Sequence, residues 1–426
     1  MDLKAKLDNM PAEVRELLDL VVSSAQEEDL QVYMVGGMVR DLFLGRDNYD
    51  LDIVVEGDAC ALAHKIAGRL GVGYIAHKVF STATVFSKIV NLDISTARCE
   101  VYEYPGALPK VIPAYVEEDL IRRDFTANAI AINVTQKDDP ELIDPYGGVD
   151  DIARRELRVL HYNSFEDDPT RILRGIRLMG RLGFVFEKKT NRYVNKAVRS
   201  SALSHVSESR IREELELLLK EENVLECIKK LYKYTRLCFF NSPFMDERPD
   251  YALMLRIPDA LDWFCQSLPR NRNIDVWIIY MMSLVHEVPD SELEHILYRF
   301  AFRRHDMNRL RSVSTGLLRA VRNAQSPSHV YRLLESLSIE ALIFIYAKVK
   351  EEELRERIIY FFSRSKDVRL EITGKDLDSA GVKPGAVYRE ALSRTLFDKI
   401  DGKISGKEEE LKNALDKIRE MSDEKN

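Results

Sequence analysis

The run Val35-Gly36-Gly37-Met38-Val39-Arg40-Asp41, followed after a short gap by Asp50-Leu51-Asp52-Ile53-Val54-Val55, decides the reading of this chain. Gln31 to Val35 and Leu51 to Val55 are rich in β-branched residues and read as strands. The first ends on Gly36 and Gly37, whose missing side chains let the backbone approach a phosphate closely, and Arg40 adds a cation. A Gly-Gly turn alone is commonly only a turn. The following strand raises its significance, because alternation points Asp50 and Asp52 to one face and brings two like charges together. A bound divalent cation relieves such repulsion, and hard oxygen ligands favour magnesium. The bland alternative is two solvated acids at a strand start. Asp93, in the strand-like run Val90 to Ile94, completes the cluster as a metal ligand or as base for an attacking hydroxyl, unless it is an ordinary strand-end aspartate.

Further strand-like text lies at Thr84 to Ile94 and Ala129 to Val134, with a helical pattern over Asp58 to Leu70. The stretch up to Leu30 reads as an amphipathic helix carrying Val14, Leu17, Leu18, Val21 and Val22. Together these make an α/β head ending near residue 150. After Gly147-Gly148 the β signal fades, and segments such as Glu208 to Lys220 and Asp275 to His286 read as helices. Soft changes in composition near 215 and 335 divide the helical remainder, so the expected units are 1–150, 151–215, 216–335 and 336–426.

With 426 residues, 45% of them hydrophobic and 31% charged, the chain is globular in composition, which excludes collagenous and wholly disordered classes. The most apolar stretch, Val276 to Val285, is too short to cross a bilayer, which takes roughly 20 residues. Met1 to Met10 has no apolar run, so the expected address is cytoplasmic. Five scattered cysteines with no C-x-x-C pair suggest neither a disulfide framework nor a zinc site. The net charge of −7 argues against a basic nucleic-acid coat, yet Arg299 to Arg332 holds eight arginines against the single acid Asp306. That stretch suits a polyanion held in one place, or equally a solvated helical face.

Gly-Gly, Arg and a paired-carboxylate strand suit nucleotidyl transfer, in which metal ions clamp a triphosphate and activate a hydroxyl. At these residues the chain resembles the DNA polymerase beta superfamily, specifically the class II tRNA nucleotidyltransferases and bacterial poly(A) polymerases. Arg122-Arg123-Asp124-Phe125-Thr126-Ala127-Asn128-Ala129 resembles the family's second motif, and Asp144-Pro145-Tyr146-Gly147-Gly148 its hinge. Phe165-Glu166-Asp167-Asp168-Pro169-Thr170-Arg171-Ile172-Leu173-Arg174-Gly175-Ile176-Arg177 resembles the base-selecting motif, and Ser207 to Leu215 the helix that follows. The resemblance implies a nucleotidyltransferase head followed by an all-helical neck, body and tail, with the neck selecting the nucleotide. It implies magnesium at Asp50 and Asp52, and Asp50, Asp52 and Asp93 as the catalytic acids. It further implies nucleotide contacts from Gly36, Gly37, Arg40, Arg123, Asp124 and Asn128, and base or phosphate contacts from Asp168, Arg171, Arg174 and Arg177. The implied partners are tRNA with ATP, CTP or both. The sequence does not fix an oligomeric state.

A physical reading stands beside the resemblance. Arg171, Arg174, Arg177 and Arg181 recur at three- or four-residue spacing and form one stripe along a helix. Asp168 and Arg171 offer an acceptor beside a donor, a pair that complements the pairing edges of cytosine and adenine but not of guanine or uracil. In one departure from the family, the usual Glu-Asp pair is Asp167-Asp168 here, with Glu166 one place earlier. Tyr104-Pro105, Leu108-Pro109 and the Asp-Asp-Pro-Thr-Arg form resemble members that add only the terminal A, and residues 100–120 lie where the family keeps an element affecting the switch from C to A. Thr373 to Leu377 and Lys383-Pro384-Gly385 resemble the C-terminal segment of some bacterial members. The expected activity is addition of CMP, AMP or both to the tRNA 3′ end. A poly(A) polymerase is the nearest alternative, and a non-catalytic RNA-binding protein the alternative from another class.

Overall fold

The computed structural model describes residues 2–47, 50–88, 90–101, 110–136, 139–267, 273–312, 315–382 and 385–423. They form two compact units, Met1–Phe239 and Phe240–Asn426. The expected breaks at 150 and 215 fall inside the first unit and that at 335 inside the second.

The first unit is built on strands β1 (Gln31–Val35), β2 (Leu51–Glu56), β3 (Tyr74–His77), β4 (Thr82–Phe86) and β5 (Asn91–Thr96). After them come β6 (Arg98–Val101), β7 (Lys110–Pro113), β8 (Ala131–Asn133) and β9 (Glu141–Ile143). Seven of these make one sheet in the order β3-β4-β5-β2-β1-β8-β9, and β6 pairs with β7 separately. All neighbours in the large sheet are antiparallel except β2 and β5, which run parallel with Asp52 opposite Asp93. Alternation decides its outer half: Ala83, Val85, Leu92 and Ile94 are buried on the side covered by the helix Ala59–Leu70, while Thr84 and Asp93 face the other way. Asp58 accepts from the amides of Cys60 and Ala61 to start that helix, and Gly71 ends it in the left-handed region.

Two expectations need correction. The N-terminal helical run is two helices, Leu3–Asp8 and Ala12–Gln26, separated at Asn9 to Pro11, where proline's ring and missing N–H suit a helix start rather than an interior. The run Thr84 to Ile94 is not one strand. The Ser87 hydroxyl donates to the Val90 carbonyl at 2.5 Å and accepts from the Val90 amide at 3.2 Å. This side chain competes with the strand ladder and closes a turn between β4 and β5.

Beyond residue 150 the first unit is helical apart from the short parallel pair β10 (Glu156–Leu157) and β11 (Val185–Phe186). At the expected hinge, Asp144 accepts from the amides of Gly148 and Val149 at 2.7 and 2.9 Å and caps the helix Gly148–Arg154. The helices Thr170–Leu182, Glu208–Leu219 and Val224–Thr235 then pack on one another.

Described residues of the second unit form helices only. Val276–Val285 is the buried centre of this unit, and among the described residues no helix is long and apolar enough to cross a membrane. The arginine stretch is not uniform. Arg309 is buried in ion pairs with Asp275 (2.6 Å), Asp306 (2.5 Å) and Glu340 (3.2 Å), and Arg299 donates to the Phe240 carbonyl, so both belong to the unit's framework. Arg303, Arg304, Arg311, Arg319, Arg322 and Arg332 are exposed. Near the C-terminus, Thr373 and Asp376 form a capping box for the helix Gly374–Ser379, while Lys383 and Pro384 lie outside the described residues.

Candidate active site

The helix Gly36–Leu44 leaves β1 with its first turn uncapped by any side chain, so its N-terminal amides face the site. Gly36 has φ +71°, and a Cβ there would stand 3.1 Å from Arg123 Nη1 and 3.5 Å from Asp52 Oδ2, which shows how closely this backbone passes the acid and the cation. A cavity of about 490 Å³ opens at this point. Its wall includes Gly36, Gly37, Arg40, Asp50, Asp52, Arg123, Asp124 and Asn128 from the sheet region, and Asp168, Arg171, Arg174 and Arg177 from the helices. Every residue expected from the sequence is therefore in this wall except Asp93. That residue stands beside Asp52 on the neighbouring strand, outside the cavity, and accepts from Thr84 Oγ1 at 2.5 Å.

A chain of alternating charges holds the wall together. Arg40 is buried and donates through Nε and Nη2 to Asp41 at 2.9 Å and through Nη1 to Asn128 Oδ1 at 2.7 Å. Asn128 donates to Asp124 Oδ1 at 2.9 Å, and Arg174 Nη2 lies 2.9 Å from Asp124 Oδ2. Arg174 and Arg177 also face Glu214 at 3.4 and 3.6 Å, and Arg181 Nη2 returns to Asp41 at 3.1 Å. The head and the helix Thr170–Leu182 are thus tied through ion pairs in which buried Asp124 and Asp41 meet the part-exposed Arg174 and Arg181, so each buried acid has the partner its burial requires. Burial opposes ionisation of Asp124, but Arg174, the Asn128 amide and Arg171 hold its carboxyl down at about 2.

Asp168 and Arg171 approach the cavity with their own partners. Asp168 accepts from Arg210 Nη2 at 2.9 and 3.0 Å and from Thr170 Oγ1 at 2.6 Å. Arg171, 5% exposed, donates to Ser164 Oγ at 2.6 Å and to the Arg122 carbonyl at 2.7 Å. The arginine stripe lines the cavity along one helix face, as its spacing suggests.

Sequence reasoning passed over Arg210, Arg122 and Glu100 as cavity residues, and Asp119 behind them. Buried Asp119 accepts from Arg122 at 2.7 Å and from Arg123 at 2.8 Å, aiming both guanidinium groups. Its spacing of three and four residues from those arginines was a readable signal. Arg210 lies in the stretch Ser207 to Leu215 that resembles a family helix, but no local spacing signals its pairing with Asp168, 42 residues away. Tyr104, Pro105, Leu108 and Pro109 lie outside the described residues.

Among the described residues no three imidazole, thiol or carboxyl groups form a closed metal cage. Burial, with the charges of Asp93 and Asp50, pushes the Asp52 carboxyl up to about 6 against the opposing pull of Arg123 and Arg40. Hard oxygens that repel one another fit a cation such as Mg²⁺, which is held by one or two carboxylates together with substrate phosphates rather than by an all-protein cage.

Comparison with known proteins adds to this geometry. A family model described as the poly(A) polymerase head domain matches residues 32–158. An A-adding tRNA nucleotidyltransferase of Geobacter sulfurreducens is 32% identical over 399 residues, which cover 91% of this chain and 45% of that protein. Another of the same description, from Halalkalibacterium halodurans, is 30% identical over 403 residues, covering 93% of this chain and 91% of that protein. The chain thus spans about half the length of the first relative and nearly all of the second. A solved Thermotoga maritima CCA-adding enzyme complexed with tRNA superposes with a TM-score of 0.74 at 30% identity, covering 98% of this chain and 99% of that one.

Proposed function

Because the chain belongs to the tRNA nucleotidyltransferase family, we propose that it transfers a nucleoside monophosphate from ATP or CTP to the 3′ hydroxyl of tRNA without a template. The observation that carries this reading is the cavity in which an uncapped helix N-terminus, the acids Asp50 and Asp52 and the guanidinium groups of Arg123 and Arg174 converge. The Gly36 and Gly37 backbone with Arg40, Arg123 and Arg174 holds the triphosphate, whose charge matches theirs. Asp50 and Asp52 would hold Mg²⁺, which when bound would supply charge stabilisation at the reacting phosphate. Asp168 accepts from the exocyclic amino group of cytosine or adenine, and Arg171 donates to the adjacent ring nitrogen. Asp124, Asn128 and Arg177 position these groups through the ion-pair chain.

In the chemical step the 3′ oxygen of the RNA attacks the α-phosphorus, the bond to the leaving pyrophosphate breaks, and the hydroxyl proton passes to Asp93. Both curated relatives described above are named A-adding, which supports AMP on tRNA ending in CC as the preferred reaction. Such a reaction belongs with cytoplasmic tRNA. The test is incubation of the chain with tRNAs ending at the discriminator base, after C and after CC, each with CTP or ATP alone. One AMP added to the CC form, with no use of CTP, supports the A-adding reading; stepwise addition of C, C and A supports the CCA-adding form. Long A tracts on any RNA would contradict both in favour of a polymerase, and no addition in favour of a binding module.

A further inference from the structure

The sheet order divides the surroundings of Asp52 into two halves. On one side of β2 lie β1, the Gly36-Gly37 turn and the cavity; on the other lie β5, β4 and β3. Asp52, Asp93, Thr84 and Ile75 are cross-strand partners in one row over those four strands. Their side chains share the face opposite the helix Ala59–Leu70, and among the described residues that face is open at its outer end: Ile75 is 49% and Phe86, opposite Asn91, is 44% exposed. A platform thus begins at an acid beside the cavity, passes over Thr84 and Asn91, and ends on an aromatic ring and an aliphatic side chain.

Phosphoryl transfer needs the attacking and leaving oxygens roughly in line. With the triphosphate on the Gly36 and Arg123 side of Asp52, the attacking hydroxyl arrives from the Asp93 side, and the strand carrying it lies over β5, β4 and β3. Strand spacing puts β4 roughly 10 Å and β3 roughly 14 Å from β2, a reach that the last one or two nucleotides span. Unpaired bases stack on exposed aromatic rings with little regard to sequence. We propose that the open face of β3, β4 and β5, with Phe86 and Ile75 as its apolar contacts, seats the unpaired 3′ end of the RNA acceptor. The proposal rests on the nucleotidyltransferase reading and names where that reaction's second substrate lies.

The test is steady-state AMP transfer to tRNA ending in CC by the parent and by Phe86→Ala, Phe86→Leu, Phe86→Trp and Ile75→Ser, with thermal unfolding of each. Loss of one stacked base raises KM for tRNA by roughly tenfold in Phe86→Ala. The KM for ATP stays at the parent value, Phe86→Leu behaves like Phe86→Ala at unchanged unfolding temperature, and Phe86→Trp restores parent affinity. An acceptor lacking its terminal base makes parent and Phe86→Ala equal. An unchanged KM for tRNA in Phe86→Ala and Ile75→Ser would overturn the platform while leaving the transferase reading intact. Loss of self-association in Phe86→Ala with unchanged KM would likewise overturn it and assign the face to contact between copies. A parent with no transfer activity would remove the reading and the platform together.

Discussion

Asp124 shows how single residues sustain this site. Its carboxylate accepts from the Phe125 amide, the Asn128 side chain and Arg174, and so it is fully ionised and fully used in the folded chain. With its folded value at about 2 against 3.8 for the ordinary group, its ionised form stabilises the fold above pH 4, and that contribution is lost as pH falls toward 2. Asp124→Asn should therefore cost roughly 2–3 kcal/mol at pH 7, and the deficit should shrink below pH 4. Urea unfolding of both proteins between pH 7 and pH 3 measures this; a deficit constant over that range would contradict it. At this scale the candidate residues were legible where chemistry repeats at short spacing, as in the arginine stripe. The pairing of Arg210 with Asp168 was not, because only the fold brings the helix Glu208–Leu219 to that acid.

Among elements, the helix Thr170–Leu182 carries the stripe on one face and packs its other side on the helix Val224–Thr235. Gly180 makes that approach possible: a Cβ there would fall 2.0 Å from Cys227 Sγ and 3.3 Å from its Cα. Gly180→Ala should destabilise the first unit by roughly 1–3 kcal/mol through overpacking. Removing the opposing sulfur in Gly180→Ala with Cys227→Ala should return most of the loss in a thermal melt, and a double variant no better than the single one would refute the packing account. The strands β1 and β2 were legible because central strands read as near-continuous apolar runs, Val32 to Val35 and Ile53 to Val55 here. β3 was not, since Tyr74–His77 is a short edge strand with no buried alternation. The junction of β4 and β5 was hidden because a side chain, Ser87, closes the turn there.

Over the whole molecule, the acidic chain carries exposed cations in its second unit at Arg303, Arg304 and Arg319, set on a framework that Arg309 secures. Reversing those three exposed charges to Glu should raise the Kd for tRNA and reduce its salt slope by up to about 0.9 for each phosphate no longer neutralised, without altering the choice of nucleotide. Filter binding over a salt series measures it, and parent-like binding at every salt concentration would turn that face away from RNA. Composition exposed the basic stretch, yet the partition between framework and surface arginines was not legible, because Asp275 and Glu340 reach Arg309 from distant segments. The central claim is that the acids at the start of β2 carry nucleotidyl transfer in this chain. Its most direct test is transfer of labelled AMP to tRNA ending in CC by the parent and by Asp52→Ala at tRNA concentrations that saturate both. The account predicts one AMP per tRNA for the parent and none for Asp52→Ala, with tRNA binding nearly equal; substantial transfer by Asp52→Ala would contradict it.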